Sequence, residues 1–327
     1  MTTPVSEKHF ESDETRRLPK PFLLRRLHSL LGIWLAVYLS EHLYVNSQMA
    51  LYVEDDGQGF ISAVNKIHAI PYLKLVEILF LGLPFLIHGI WGIQYALRAK
   101  LNSYKSDGTR PSLPQYKRNR AYSWQRITSW ILLIAITGHV IQMRFLDYPS
   151  SSQDGEKKSY MVRLVPDPSL YLVAQKIDAS LYTKQEIEEK GRGLSEEEKS
   201  LSEMEGESYY TLLDRIDEGK EWMEAARKKR LKKGKVLAVS PNAGGAFFLS
   251  VRETFKSPLM VILYSIFVVT AAYHGFNGLW TFCISWGLTL TRRSQRVARF
   301  ITTLLMGVVM LMGLVSIWGT YYTIQFT

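Results

Sequence analysis

Cysteine is almost absent from this chain of 327 residues, and Cys283 is its one representative. A lone thiol excludes an internal disulfide, a CxxCH site for covalent haem and a thiolate set for an iron–sulfur cluster. No RNA- or DNA-binding motif is present either, so the formal charge of +10 needs another explanation than a nucleic-acid partner. No inverted repeat or pair of broken apolar segments marks the chain as a transporter of that design. The first apolar run follows a charged lead of some twenty residues and continues into further spans, which is unlike a cleaved signal peptide.

What is present is a chain of two populations. Its mean hydropathy is only −0.04, yet apolar runs cover 28–53, 71–97, 127–146, 258–290 and 300–324. Each is close to or beyond the ~20 residues that a membrane-spanning helix requires. The fold class expected is an all-α membrane protein whose five transmembrane helices form a bundle. A large, external, helical insert lies between the third and fourth. The domains follow: a leader at 1–27, three spans at 28–148, a charged insert at 149–255 and two spans at 256–327. Within the insert, Thr183–Lys235 is rich in Glu, Lys, Arg and Leu and reads as one or two solvated helices. Its basic end, 227–233, reads as a solvated helix end, with contact to anionic lipid as the alternative. No catalytic constellation appears in it.

Basic residues set the orientation. Residues 1–27 hold six Lys or Arg, the 98–126 loop holds eight, and Arg292, Arg293, Arg296 and Arg299 flank the last turn. The loop after the first span instead holds Glu54, Asp55 and Asp56, while the insert is nearly balanced with 18 basic and 19 acidic residues. The chain is expected in the cytoplasmic (inner) membrane of a bacterium, with its N-terminus cytoplasmic and the insert and C-terminus external.

Four histidines, His42, His88, His139 and His274, sit deep in four different apolar runs. An ionisable group in hydrocarbon is costly and marks a functional site by default. A single membrane histidine is as often a packing residue between helices, but four at matched depths are not. At ~1.5 Å per residue, His42 and His139 lie ~15–18 Å below the outer boundary, and His88 and His274 lie ~24–25 Å below it. The levels pair His42 with His139 outside and His88 with His274 inside. Two bis-histidine haems follow as the expected cofactors, and a doubly ligated iron favours electron transfer over oxygen chemistry. The local patterns His88-Gly89-Ile90-Trp91-Gly92 and His274-Gly275-Phe276-Asn277-Gly278 remove bulk beside two of the imidazoles.

These motifs carry a resemblance. Arg25-Arg26-Leu27-His28-Ser29-Leu30-Leu31-Gly32 opens the first span and Glu41-His42-Leu43 follows; Leu83-Pro84-Phe85-Leu86-Ile87-His88-Gly89 ends the second. Trp124-Gln125-Arg126-Ile127-Thr128 and Gly138-His139-Val140 mark the third, and His274-Gly275-Phe276-Asn277-Gly278-Leu279-Trp280 the fourth. Together they resemble the dihaem cytochrome b subunit of succinate dehydrogenase and fumarate reductase, the single-chain, five-helix type, over all five spans and in order. The resemblance implies a membrane anchor of respiratory complex II. Its cofactors would be two haem b, with His42 and His139 on the outer iron and His88 and His274 on the inner. A flavoprotein subunit and an iron–sulfur subunit would be its partners, and quinone, expected to be menaquinone, its substrate. It also suggests that His28 and Ser29 contact the inner haem propionates. The insert departs from the family, whose connection there is far shorter.

Quinone reduction consumes protons, and Glu77, ~9 Å into the membrane, is the candidate proton donor beside the outer haem. The bland alternative is an ion pair with Lys74 at i−3. His68, in the outer loop, is a further place for quinone contact, and more simply a loop residue. His9 in the leader is expected to be inert. Competing functions are a dihaem cytochrome b subunit of a hydrogenase or formate dehydrogenase and, from another class, a haem-free proton-coupled transporter.

Overall fold

The computed structural model describes residues 19–50, 57–99, 113–154, 157–201 and 205–326. The leader with His9, the acidic loop residues Glu54, Asp55 and Asp56 and residues 100–112 of the basic 98–126 loop lie outside the described residues. Helices long and apolar enough to cross a membrane number five among the described residues, as the apolar runs foretell. The first, α1 (Lys20–Ser47), starts eight residues before the apolar run does. Pro21 in its first turn costs no helical bond, because the N–H it lacks would have no intrahelical partner. His28 therefore stands two turns inside a helix rather than at the membrane edge where its run begins.

A short helix, α2 (Gln58–His68), leads to α3 (Leu73–Arg98). The latter contains a π-helical stretch at Ile78–Gly82 just before Pro84. Proline has no N–H to give the carbonyl four residues back, and Trp34 Nε1 of α1 donates to that carbonyl, Phe80 O, at 2.5 Å. The third span, α4 (Lys117–Leu146), ends in a second π-helical stretch, Ile141–Leu146.

The insert corrects the helical expectation. It contains a four-stranded antiparallel sheet in the order β1 (Ser150–Asp154), β2 (Lys157–Leu164), β4 (Val236–Ser240), β3 (Ser180–Tyr182). Around it lie α5 (Leu170–Lys176), α6 (Lys184–Ser200), α7 (Glu207–Lys228) and α8 (Ala243–Phe255). Two helices in the 183–235 stretch agree with the sequence. The strands were hidden because β2 pairs with β4 across some seventy residues, Met161 opposite Val239 and Val162 opposite Ala238. Such long-range pairing leaves no local signature beyond two short apolar runs.

Nor is the insert a pendant domain. One apolar core joins Val45 and Met49 at the end of α1, Phe60 and Ile61 of α2, and Val162, Leu164, Leu170, Phe248 and Leu249 of the insert. At the seam a Cβ on Gly244 would come within 2.3 Å of Ile61 O, so only glycine lets α8 approach α2 this closely. Asn65 Oδ1 accepts from the Gly244 N–H at 2.7 Å. The buried Arg252 and the half-buried Lys256 both reach Asp167, at 2.6 and 2.7 Å. Burial works against the Asp167 carboxylate, but hydrogen bonds and charge from Arg252 and Lys256 outweigh it and hold the carboxyl well below its usual range. The insert is a cap welded to one end of the bundle. Lys229, in the basic run ending α7, donates to Tyr148 O at the root of the cap, and burial lowers it to about 8.

The last two spans are α9 (Pro258–Ser285) and α10 (Arg292–Phe326). α9 is the central helix, packed on α1, α4 and α10, and Val261, Val268 and Phe276 of α9 share a core with Leu43, Phe255, Val309 and Ile317. α3 and α4 touch sparsely. That leaves a space along the bundle.

Candidate functional site

The space is a cavity of about 2690 Å³ bounded by α1, α3, α4 and α9 and closed at one end by α2 and α8. Ordinary small-molecule pockets measure about 300–1,000 Å³. Each of the four helices brings one of the four deep histidines into it, and α1 brings His28 as well. His42 of α1 faces His139 of α4 with ring centres 6.1 Å apart and planes at 74°. His88 of α3 faces His274 of α9 at 6.5 Å and 87°. The structure thus brings together the same pairs that depth along the helices matches.

Rings this far apart cannot hydrogen-bond to one another. They can share one metal. Two metal–imidazole bonds of ~2 Å each, with the ~1 Å from ring nitrogen to ring centre added on both sides, span about 6 Å. Among the described residues no group of three or more His, Cys, Asp or Glu could hold a metal; what each pair offers is two imidazoles.

The other ring nitrogens fix the tautomers. His88 Nδ1 lies 3.1 Å from His28 O, which can only accept. The Tyr264 hydroxyl donates to Gln142 Oε1 at 3.2 Å, leaving its oxygen to accept from His139 Nδ1, also at 3.2 Å. Thr128 Oγ1 donates to Trp124 O at 2.7 Å and lies 3.4 Å from His274 Nδ1. For His88 the carbonyl places the proton on Nδ1, and for His139 and His274 the same contacts fit an Nδ1–H; Nε2 then keeps its lone pair for a metal. Gln125 Nε2 donates to His274 O at 3.0 Å and Asn277 Nδ2 to Gln125 Oε1 at 2.6 Å, locking α9 to α4 at this level. Of these neighbours, Tyr264 and Gln142 had no sequence signal, because a tyrosine or glutamine in a span has no period of its own. Gln125, Thr128 and Asn277 sat inside the quoted motifs.

A glycine outside the two histidine patterns matters most for packing. A Cβ on Gly32 would lie 2.9 Å from His88 Cε1, whereas one on Gly89 would meet nothing within 4 Å. His28 stacks flat on His88, with centres 4.1 Å apart and planes at 6°. Its Nδ1 is buried without a hydrogen-bond partner among the described residues. Ser29 Oγ accepts from Trp286 Nε1 at 2.8 Å and donates to Arg26 O at 3.0 Å. Both therefore stand at the end of the cavity away from the cap, Ser29 already engaged.

At the cap end Glu77 pairs with Arg144. This replaces the alternative of a pair with Lys74, since the π-helical end of α4 carries Arg144 across to α3. The Arg144 guanidinium lies 4.6 Å from the centre of the Tyr148 ring. His68 packs on Phe247 with ring centres 5.0 Å apart. Burial pushes the His68 imidazole below its ordinary value, Glu77 opposes that, and Arg144 and Lys158 add to it, so the ring is neutral near pH 7.

Fold and site together define a class: a polytopic helical membrane protein with two facing imidazole pairs inside its bundle. A curated protein, the succinate dehydrogenase cytochrome b558 subunit of Bacillus subtilis (strain 168), is 22% identical over 301 residues, 92% of this chain and 97% of that protein. The resemblance carried by the motifs to the cytochrome b subunits of succinate dehydrogenase thus extends along nearly the whole of both chains. No family model matches the chain, and no solved structure matches it.

Proposed function

We propose that this protein is the membrane-anchor cytochrome b subunit of a succinate:quinone oxidoreductase. The observation that supports this best is the pair of facing imidazole couples, 6.1 and 6.5 Å between ring centres, in one continuous cavity. His42 and His139 would hold one haem b, and His88 and His274 a second. Bound there, the haems would supply one-electron steps between an iron–sulfur partner on the inner side and quinone on the outer. The chain itself would fix orientation: α1, α3, α4 and α9 would each present one imidazole, with Tyr264, Thr128 and the His28 carbonyl supporting the ligating tautomer of three of the rings.

The electrons come from succinate, whose oxidation to fumarate yields two electrons and two protons. Quinone takes up two of each to become quinol. Glu77, at the cap end where the His42–His139 pair also lies, is the group assigned to pass protons to the quinone oxygens. The orientation expected from the basic loops puts the cap outside and Arg25, Arg26, Arg118 and Arg120 inside. There they would dock an iron–sulfur subunit, itself bound to a flavoprotein subunit. The reading is tested on the protein purified from membranes in mild detergent. Pyridine haemochrome assay is expected to give two b haems per chain, and succinate is expected to reduce them. One haem or none, or recovery of the chain alone with succinate dehydrogenase activity left soluble, overturns it.

A further inference from the structure

We propose that the inserted cap forms one wall of the quinone site: Phe247, Val251 and Phe255 of α8 seat the quinone head group beside His68 and the Glu77–Arg144 pair. This rests on the succinate:quinone oxidoreductase reading above and adds to it a role for a segment to which that reading assigns none.

Three observations carry it. First, Phe247, Val251 and Phe255 are spaced at i, i+4 and i+8, which puts them on one face of α8, and all three line the cavity. From Ala243 to Ser250 Phe247 alone is not buried; its ring packs on the edge of the cap core and also lines the cavity. Secondly, aromatic and polar groups border one space. Phe247 stands between His68 at 5.0 Å and Tyr148 at 5.3 Å, and Arg144, which holds Glu77, lies over Tyr148. Thirdly, both π-helical stretches are here, one starting at the residue after Glu77 and the other containing Gln142 and Arg144. Such bulges mark functional sites often because they re-aim side chains out of helical register.

The chemistry that fits is a quinone. Its ring is flat and apolar and stacks on an aromatic wall. Its two carbonyl oxygens need donors, and the His68 N–H and the Arg144 guanidinium are donors. Its reduction needs a proton route, and Glu77 touches the same space. A site that held only a lipid tail would have no use for an imidazole, a guanidinium and a carboxylate together.

The test uses the detergent-purified complex with succinate as donor and a soluble naphthoquinone as acceptor. Phe247→Ala is expected to raise KM for the naphthoquinone about ten-fold while kcat, both haems and their midpoint potentials stay as in the unaltered complex. Phe247→Tyr, which keeps the ring, is expected to stay close to the original KM. If Phe247→Ala does not assemble, Phe247→Leu carries the test, with a smaller rise in KM expected. An unchanged KM in a variant holding both haems overturns the proposal. So does a shifted haem potential at unchanged KM, which would mean that the wall covers the edge of a haem. Failure of the unaltered complex to bind haem or to reduce quinone would instead overturn the underlying reading.

Discussion

A histidine in a membrane is defined by what its second nitrogen does. His139 Nδ1 lies at hydrogen-bond distance from Tyr264, whose hydroxyl donates a hydrogen bond to Gln142 Oε1, and Gln142 Nε2 reaches Thr254 of the cap at 3.4 Å. Tyr264→Phe removes the acceptor and breaks this chain. Partners of this kind typically affect metal affinity or activity 10–100-fold, so the variant is expected to shift the midpoint potential of one haem and leave the other alone; a redox titration of the two haems checks it. Gly32→Ala presses a methyl against His88 and is expected to lower haem content from the proposed two per chain towards one, read by pyridine haemochrome. Glu77→Gln keeps shape and hydrogen bonding but cannot exchange a proton. It is expected to retain both haems and their reduction by succinate while slowing quinone reduction per haem. A purely structural Glu77–Arg144 pair predicts poorer assembly with normal turnover in what assembles.

At the scale of elements, the cap depends on the charge cluster around Asp167. Removing a single partner of a buried ion pair costs about 3–5 kcal/mol, because the remaining charge is left uncompensated. Asp167→Asn leaves the buried Arg252 in that state and is expected to loosen the cap, seen as faster proteolysis between β1 and α8 at neutral pH. Asp167 has a folded-state pKa below its unfolded one. Its contribution is therefore full above about pH 4 and is lost as the pH falls through the folded value. Protease resistance of the unaltered cap should drop at that acidic end, and that of Asp167→Asn should show much less of this step. Elements also differ in how legible they are. The five spans announce themselves by length and hydropathy. The strands Lys157–Leu164 and Val236–Ser240 do not, since eight and five residues of mixed polarity become strands only by finding each other. The π-helical stretches are equally silent; Pro84 hints at one, and nothing in 141–146 hints at the other.

For the whole molecule, the five helices form an incomplete bundle. α9 anchors α1, α4 and α10, while α3 and α4 stand apart around a cavity too large for a well-packed protein interior to leave without purpose. The assembly expected around it is a complex with iron–sulfur and flavoprotein subunits at the basic end. Raising the salt concentration should dissociate the complex if Arg25, Arg26, Arg118 and Arg120 dock it by charge, since exposed ion pairs are screened. Size-exclusion chromatography of the detergent-solubilised complex at low and high salt measures this.

The sequence by itself determined the number of spans, the four histidines and their two levels. Span length, the cost of an ionisable group in hydrocarbon and the fixed rise of a helix are local rules that need no knowledge of neighbours. Only the tertiary structure decided which side chains set the imidazole tautomers, that Glu77 pairs with Arg144 rather than Lys74, and that the insert is a sheet-containing cap sharing its core with the bundle. Each of those depends on contacts between residues far apart in the chain, from 60 between His28 and His88 to 179 between Asn65 and Gly244. Such contacts are selected by packing in three dimensions, and no periodicity along the chain encodes them.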